Sequence, residues 1–521
     1  MKLQIFDSTL RDGAQGANIS FSVEDKLKVI RTLDDLGVDF IEAGNPFSNP
    51  AEMQFFQRIA GLKLAHAKIV AFGSTRRKGI LPAEDGNLKS LLAAGTEYVA
   101  IFGKSHIRHA TDVLKAAPEE NLAMIGESVR FLTENGKKVV FDAEHFFDGY
   151  KTDAEYAMRA LESAAQAGAV TLCLCDTNGG IFPDEARAIT EKVVQKFPQL
   201  TVAIHCHNDG DLAVANSIAA VDAGARQVQG TLLGFGERCG NVNLCSVICN
   251  LQLKRGYECI PPDHLKEMYG CAMALAETAN AAIPPNQPYV GMNAFAHKAG
   301  MHADGVLKYS SSFEHVDPEA IGNKRKFLLS EISGKSAIYD KLKNYFPSLD
   351  KNGKEMGEIV SALKDRALAG YQYEAAEASF VLLVEKILGK YKNSFDLISY
   401  KIISEQPAIE GKVASAIVKI RVNGATKIAA ADGEGPVHAM DLALRAALSD
   451  FYPEIARMSL VDFKVRVLDS DKATAAKVRV LITSADSADS WTTVGVSEDV
   501  IEASWIALTD SIDYALMRRE R

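Results

Sequence analysis

The chain contains two histidines whose spacing would allow both side chains to bind one metal ion. His205 and His207 end an apolar segment, TVAIHCH, whose composition is typical of a β-strand. Because side chains alternate along a strand, both rings point to the same face. Two ordinary polar residues lining the end of a strand would show the same pattern. The metal-site interpretation therefore requires a carboxylate nearby.

Asp12 is the candidate carboxylate, because it follows the first strand-like segment, LQIFD. In a closed barrel the first strand lies beside the last ones, which would bring Asp12 to the two histidines. Two imidazoles, a carboxylate and water suit Mn²⁺, Mg²⁺, Co²⁺ or Zn²⁺, and ligand types alone do not choose among them. We favour Mn²⁺ or Mg²⁺. The alternative roles for Asp12 are a salt bridge to Arg11 and a helix cap.

Eight similar units position these residues. Between residues 3 and 256 a short apolar segment, a polar or glycine-rich turn and an amphipathic helical stretch recur at intervals of roughly thirty residues. The apolar segments are LQIFD, VDFIEAG, KIVAFG, YVAIFG, KVVFDAE, VTLCLCD, TVAIHCH and RQVQGT. This pattern predicts an α/β fold, a (β/α)8 TIM barrel, in preference to a doubly wound sheet, which usually has fewer strands.

A barrel of this kind carries its chemistry at the C-terminal ends of its strands. Polar candidates stand at those positions: Arg11 after the first segment, Glu144 at the end of the fifth and Thr177 after the sixth. A glycine-containing loop, Gly234 to Asn241, follows the eighth. Its spacing is not G-x-G-x-x-G, and it follows the last strand rather than the first, so we reject a dinucleotide-binding site.

The repeating pattern ends near residue 257. We predict a catalytic barrel over residues 1–265, mostly helical linker subdomains over residues 266–388, and an α+β regulatory or dimerisation domain over residues 389–521. The last region contains two successive strand-then-helix stretches, which is compatible with an internal duplication.

The composition excludes several functional classes. The formal net charge of -9 over 521 residues argues against a general nucleic-acid binder. No apolar run approaches the roughly 18 residues of a membrane span, and no signal-peptide pattern opens the sequence, which predicts a cytoplasmic location without membrane contact. The eight cysteines lie between Cys173 and Cys271, and we expect reduced thiols used mainly in packing.

Several motifs together resemble one known family. The segment LRDGAQ (Leu10 to Gln15), the histidine pair, the loop that ends at Asn241 and the segment HKAGMHADG (residues 297–305) resemble the metal-dependent isopropylmalate, homocitrate and citramalate synthases. The segments FGSTRRKG, FDAEHFFDGY and DTNGG are most similar to the citramalate-forming branch. The resemblance implies an acyltransferase that condenses acetyl-CoA with pyruvate to (R)-citramalate, in isoleucine biosynthesis by a threonine-independent route.

The resemblance also implies roles for individual residues. The metal ligands would be Asp12, His205, His207 and Asn241. Arg11 would face the oxygen on which negative charge develops, and Glu144 would be the base that removes a proton from the acetyl methyl group. Glu144 could instead orient Arg11 or a water. Gln15 and Thr177 would contact the substrate.

Two further implications concern the second half of the chain. His302, in the linker, would reach the active site of the partner subunit in a homodimer and act on the thioester. The family often has a tyrosine where Phe313 stands, and Tyr309 is a possible substitute. In the C-terminal domain, Gly433, Gly435 and Pro436 precede a helix, and we expect an amino-acid effector, isoleucine or leucine, to bind near this helix start. Plain dimerisation is the alternative.

Three other functions stay open. One alternative acceptor is 2-oxoisovalerate, giving 2-isopropylmalate, because one methylene changes binding by only about 1 to 3 kcal/mol. A noncatalytic amino-acid sensor would retain the barrel as a scaffold, and a lyase would use the same metal and arginine in the reverse direction.

Overall fold

The computed structural model describes residues 1–298, 300–327, 335–409, 412–468, 475–486 and 489–520. Contacts within the chain define two units. The barrel unit consists of Met1–Phe295 and His315–Arg325, and the C-terminal unit consists of Ala296–Glu314 and Lys326–Arg521. The three-part division at residues 265 and 388 remains a prediction.

The barrel unit is built on eight parallel strands that pair in chain order and close on themselves. Closure is made by the first and last strands, which pair from Gln4 with Gln227 to Asp7 with Gly230. The predicted (β/α)8 barrel is therefore confirmed. The strands are β1 (Gln4–Asp7), β2 (Phe40–Gly44), β3 (Lys68–Ser74), β4 (Tyr98–Lys104), β5 (Lys138–Glu144), β6 (Thr171–Asp176), β7 (Thr201–Cys206) and β8 (Gln227–Gly230).

Helices surround the strands. The first begins with a capping box, in which the Ser22 hydroxyl accepts from the Asp25 N–H and the Asp25 carboxylate accepts from the Ser22 N–H. The helices are α1 (Val23–Leu36), α2 (Pro50–Ile59), α3 (Gly86–Ala93), α4 (Pro118–Glu134), α5 (Phe146–Thr152), α6 (Ala154–Gln166), α7 (Pro183–Lys196), α8 (Ala213–Asp222), α9 (Leu244–Arg255) and α10 (Met268–Thr278).

Side-chain alternation decides which residues face the barrel interior. On β5, Val140 packs with Phe40 in an interior cluster, whereas Phe141 packs in the layer between strands and helices. Because the period of a strand is two residues, Asp142 and Glu144 share the inward face of Val140. The two carboxyl groups therefore face the interior towards the C-terminal end of the barrel.

The C-terminal unit begins with helices and ends with two similar halves. Each half has a three-stranded antiparallel sheet followed by a helix. The elements are β9 (Ala296–His297), α11 (Gly300–Lys308), β10 (Lys326–Phe327), α12 (Lys335–Leu342), α13 (Lys354–Leu368), α14 (Glu377–Ile387), β11 (Asp396–Ile409), β12 (Lys412–Val422), β13 (Ala425–Gly433), α15 (Pro436–Leu448), β14 (Ser459–Val467), β15 (Val478–Ala485), β16 (Ser490–Ser497) and α16 (Val500–Glu520).

The helical segment followed by an α+β region agrees with the sequence prediction, but β11 and β16 were not predicted. The turn between β12 and β13 is made by Asn423 and Gly424, which both have positive φ, as the tight turn of a two-residue hairpin requires. Among the described residues, no helix is both long and apolar enough to cross a bilayer.

Candidate active site

Asp12, His205 and His207 meet at the C-terminal end of the barrel. The Nε2 atoms of His205 and His207 lie 3.6 Å and 4.0 Å from Asp12 Oδ2. A metal ion about 2.0 to 2.2 Å from each ligand atom would hold such atoms about 3 to 3.5 Å apart. A small contraction of this triangle would therefore accommodate a divalent ion, and all three residues are buried.

The two imidazoles are poised as neutral ligands. Burial lowers the pKa of His205, and burial together with the neighbouring His205 lowers the pKa of His207 to about 4. Burial acts to raise the pKa of Asp12, but the charge of Arg11, together with the neighbouring imidazoles and the hydrogen bond from Asn241, outweighs it, and the pKa is lowered. At neutral pH the site thus offers two neutral nitrogens and one carboxylate, which are the protonation states that a metal requires.

A chain of side chains behind His205 fixes its ring. His205 Nδ1 lies 3.2 Å from Gln229 Oε1, and the Gln229 amide donates to Asp142 Oδ1 at 3.3 Å. When Nδ1–H donates to Gln229, the lone pair of Nε2 points towards Asp12. Partners of this kind orient metal-binding histidines and set their tautomer.

Asn241 joins the same group. Its backbone forms an isolated antiparallel β-bridge with that of His207, and its side-chain amide donates to Asp12 Oδ1 at 3.0 Å. Its amide oxygen is buried and has no hydrogen-bond partner within the described ranges, so it is available as a fourth ligand. The loop before it needs Gly236, whose φ is +159°, because a Cβ there would lie 2.3 Å from Asn241 Nδ2.

Arg11 is held in place on three sides. Its Nε donates to Glu42 Oε2 at 2.6 Å, its Nη1 donates to Asp12 Oδ2 at 2.7 Å, and its Cζ lies 3.9 Å from the centre of the Phe72 ring. In the part of the chain that the structure describes, Nη2 has no hydrogen-bond partner. The guanidinium therefore has a fixed orientation and one nitrogen left to donate to a ligand.

Glu42 and Asp142 belong to the site but were missed by the sequence analysis. Glu42 is fully buried and also accepts from the Ser8 hydroxyl. Burial raises the pKa of Glu42 despite the opposing charge of Arg11, and burial with the neighbouring Glu42 raises the pKa of Asp142 to about 7. An acidic residue flanked by apolar neighbours within a strand segment was the available signal, since a buried carboxyl group must find a partner.

Glu144, the candidate base, forms an ion pair with Lys104. Lys104 lies at the end of β4 with its Nζ 5.5 Å from the centre of the Phe102 ring. The sequence analysis did not identify Lys104. The structure places no hydrogen bond between Glu144 and Arg11 among the described residues, so the alternative in which Glu144 orients Arg11 receives no support from the geometry.

Thr177 lies beside Glu144 at the end of β6. Its hydroxyl oxygen accepts from the N–H of His145 at 2.9 Å, and its own O–H stays available to a ligand. His145 has a φ of +57°, an unusual conformation that this hydrogen bond helps to hold. Arg238 donates to the Thr177 carbonyl at 2.7 Å and forms a two-bond ion pair with Asp209.

These residues enclose a cavity of about 220 Å³. The rings of Phe72 and Phe102 stack with centres 5.6 Å apart and form one apolar side. Gln15 is exposed at the opening. The lining comprises Arg11, Asp12, Gln15, Phe72, Phe102, Asp142, Glu144, Cys175, Thr177, His205, His207, Glu237 and Arg238.

The remaining predicted residues belong to the C-terminal unit. His302 is exposed on α11, and its ring stacks on Phe313 with centres 4.1 Å apart. Gly433 ends β13 where a Cβ would lie 2.4 Å from the Ala439 nitrogen, whereas a Cβ on Gly435 would meet no atom within 4 Å. Gly435 and Pro436 begin α15, as predicted from the sequence, without a side-chain cap.

Comparison with known proteins extends over the whole chain. The HMGL-like family model matches residues 2–270, the homocitrate synthase post-HMGL domain-like model matches residues 289–370, and the LeuA allosteric (dimerisation) domain model matches residues 374–516.

Full-length relatives are found in several organisms. (R)-citramalate synthase of Aquifex aeolicus is 48% identical and aligns over 100% of this chain and 98% of the relative. The enzyme of that name from Geobacter sulfurreducens is 44% identical over 99% and 98%. 2-Isopropylmalate synthase of Methanocaldococcus jannaschii is 31% identical over 100% and 96%. The chain therefore belongs to the citramalate and isopropylmalate synthase family, as its motifs predicted.

Proposed function

We propose that the chain is a metal-dependent synthase that joins the methyl carbon of acetyl-CoA to C2 of pyruvate and, with water, releases CoA and (R)-citramalate. The observation that carries the proposal is the cluster of Asp12, His205 and His207 directly beside the fixed guanidinium of Arg11. The full-length relatives at 44% to 48% identity support the citramalate branch.

Asp12, His205 and His207, with the amide oxygen of Asn241, would hold the metal. A mixed nitrogen and oxygen site accepts Mn²⁺, Mg²⁺, Co²⁺ and Zn²⁺. We favour Mn²⁺ or Mg²⁺ and keep Co²⁺ and Zn²⁺ as alternatives. When bound, such an ion supplies Lewis acidity that makes the carbonyl carbon of a 2-oxo acid more electrophilic.

Arg11 contributes a donor that is oriented before the reaction begins. Its contacts with Glu42, Asp12 and Phe72 leave Nη2 free to donate to the acceptor's oxygen as negative charge accumulates there. A donor fixed in advance pays no reorganisation cost in the transition state, which makes this kind of contribution large.

Glu144 is the proposed base for the acetyl methyl proton. It lines the cavity, and one carboxylate oxygen accepts from Lys104. Within the described ranges the other oxygen has no hydrogen-bond partner and can take the proton. Thr177 would donate its O–H to the acceptor's carboxylate, and Gln15 would contact the substrate at the opening. His302 is the proposed group for the thioester step, contributed by a partner subunit.

Pyruvate is the proposed acceptor because the stacked rings of Phe72 and Phe102 occupy the apolar side of a small cavity. A methyl group needs less room there than an isopropyl group. The test is thiol release from acetyl-CoA with metal-loaded protein and pyruvate, 2-oxobutyrate or 2-oxoisovalerate, with the product identified. Preference for pyruvate supports the proposal. Preference for 2-oxoisovalerate would make the chain a 2-isopropylmalate synthase, and no release with any acceptor would refute a synthase.

The acceptor pocket gives a further prediction. We expect Phe102→Ala to raise the use of 2-oxoisovalerate relative to pyruvate by about 10-fold to 100-fold, since the two additional carbons of its isopropyl group would gain space. Steady-state kcat/KM for both acceptors measures the ratio. An unchanged ratio would show that the two rings do not set acceptor size.

The C-terminal region is proposed to make the chain a homodimer and to bind an amino-acid effector, isoleucine or leucine. The match to the LeuA allosteric (dimerisation) domain supports this. Calorimetric titration of each amino acid into the full-length protein tests the effector, and sedimentation tests the dimer. Absence of heat with both amino acids would leave dimerisation as the role of this region.

A further inference from the structure

A second cavity lies entirely within the C-terminal unit and is no part of the site proposed above for the synthase reaction. Its volume is about 780 Å³. Its apolar walls come from α14, from the last turns of α16 and from a segment before α13, through Leu382, Leu516, Met517 and Phe346. The cavity is therefore large enough to hold a small organic molecule, with apolar side chains on part of its wall and polar groups on the rest.

A buried carboxylate also lines this cavity. Asp513, on α16, is 5% exposed, and its Oδ2 accepts from the Tyr391 hydroxyl at 2.5 Å. Its Oδ1 is buried and has no hydrogen-bond partner among the described residues. Buried carboxylate oxygens are normally paired, because water has been removed from them. The cavity thus presents an acceptor that lacks a donor.

Asp510, one turn earlier on the same helix, shows what Asp513 lacks. Asp510 accepts from the Ser379 hydroxyl at 2.7 Å and lies 3.5 Å from the ammonium group of Lys386. Asp513 accepts from a hydroxyl group instead, and burial raises the pKa of both carboxyl groups although their hydrogen bonds and the charge of Lys386 act in the opposite direction. Burial disfavours the ionised carboxylate of Asp513, and a cation beside it would stabilise that form.

The other charges around the cavity are arranged by depth. Glu385 is buried and Glu454 is half-buried, whereas Lys390 and Lys392 are exposed at the rim. Long lysine side chains carry their ammonium groups towards the surface rather than the interior. Carboxylates therefore predominate at depth, which disfavours an anionic occupant, and a neutral apolar occupant would leave Oδ1 of Asp513 unpaired.

We propose that this cavity binds a small molecule with a primary ammonium group on an apolar chain. The ammonium group donates to Oδ1 of Asp513, and the apolar chain packs against Leu382 and Leu516. The proposal goes beyond the synthase reaction and does not depend on it, since none of these residues belongs to the barrel unit.

The test is calorimetric titration of n-pentylamine, as its ammonium ion, into the full-length protein at neutral pH. Pentan-1-ol, which has the same chain without the charge, is the matched ligand. We expect the amine to bind at least about 10-fold more tightly than the alcohol, the ratio for one charge-assisted hydrogen bond. Equal affinity for the two ligands, or no heat with the amine, would overturn the proposal.

Two variants and one control complete the test. Asp513→Asn removes the charge at nearly constant volume and is expected to weaken amine binding by about 10-fold or more. Leu516→Phe fills part of the cavity with Asp513 intact and should also weaken binding, so the result does not rest on one variant. Asp510→Asn, the control on the same helix, should leave binding unchanged. Thermal unfolding checks that each variant is folded. Full amine binding by both folded variants, Asp513→Asn and Leu516→Phe, would refute the site.

Discussion

Asp12 in the barrel unit and Asp513 in the C-terminal unit are each 5% exposed, yet their carboxyl groups respond to burial in opposite ways. The pKa of Asp12 is lowered because Arg11 and two histidines face it. The pKa of Asp513 is raised because burial outweighs the opposing hydrogen bonds from hydroxyl groups. Equal burial therefore does not determine protonation. The charged groups that face a buried carboxyl group decide whether it stays ionised. Each carboxyl group is proposed to bind a cation, a metal ion at Asp12 and an ammonium group at Asp513.

The largest expected effect follows from removing the charge of Asp12. We expect Asp12→Asn to lower kcat by about 10³-fold, since a lost metal ligand costs several kcal/mol of transition-state stabilisation. Thiol release gives the rate, and elemental analysis of the protein gives the metal content. Asp25→Asn, on the exposed start of α1, is the control and should retain activity. Activity within 10-fold of the parent would remove Asp12 from the metal site.

A smaller effect is expected from Glu42, which touches Arg11 rather than the metal ligands. Glu42→Gln keeps the shape but weakens the contact with Arg11 Nε, so we expect kcat to fall by about 10-fold to 100-fold with little change in KM for the acceptor. Glu42→Asp should also have a lower kcat than the parent, because the shorter side chain loses the 2.6 Å contact with Arg11 Nε. A large increase in KM with normal kcat would show that Glu42 acts on substrate binding instead.

The third effect tests the opposite response of Asp513 through the pH dependence of stability. A carboxyl group whose pKa is raised in the folded state stabilises the fold below its unfolded pKa, and this contribution is lost as pH rises through the folded pKa. We therefore expect Asp513→Asn to gain free energy of unfolding relative to the parent as pH rises from about 4 to 8. Urea unfolding at several pH values measures the difference. A constant difference across that range would show that Asp513 is ionised throughout.

The sequence predicted the barrel and the grouping of Asp12, His205 and His207 for a physical reason. Strands covered on both sides form apolar segments of regular spacing, and closure brings the residue after the first strand to the seventh. Asp12, His205 and His207 could therefore be grouped before the structure was known. The spacing of two residues on one strand also specified the face on which the histidines lie.

Other features depend on packing that no local pattern encodes. Glu42 and Asp142 each have apolar neighbours in their strand segments, but their network with Arg11 exists only after the strands close. β11 is largely exposed, and β16 carries several serine and threonine residues although most of it is buried. Both features weaken the apolar pattern that predicts a strand. The cavity at Asp513 combines segments more than a hundred residues apart, so the sequence gives no sign of it.

The smallest expected effects compare how a helix begins in each unit. Ser22 caps α1 with its side chain, and Ser22→Ala should lower the free energy of unfolding by about 1 kcal/mol. α15 begins at Gly435 without a side-chain cap, and its extended φ of −168° with open space around the Cβ position would accept a serine.

We expect Gly435→Ser to raise stability by a few tenths of a kcal/mol, because a hydroxyl would accept from an N–H group that otherwise meets solvent. Thermal unfolding of the full-length protein measures both variants. The same variant also tests the proposed effector, since a serine hydroxyl would compete with a ligand for these N–H groups. A stabilised protein with unchanged effector binding would place the effector away from the start of α15, whereas lost binding would locate it there and explain why this helix lacks a cap.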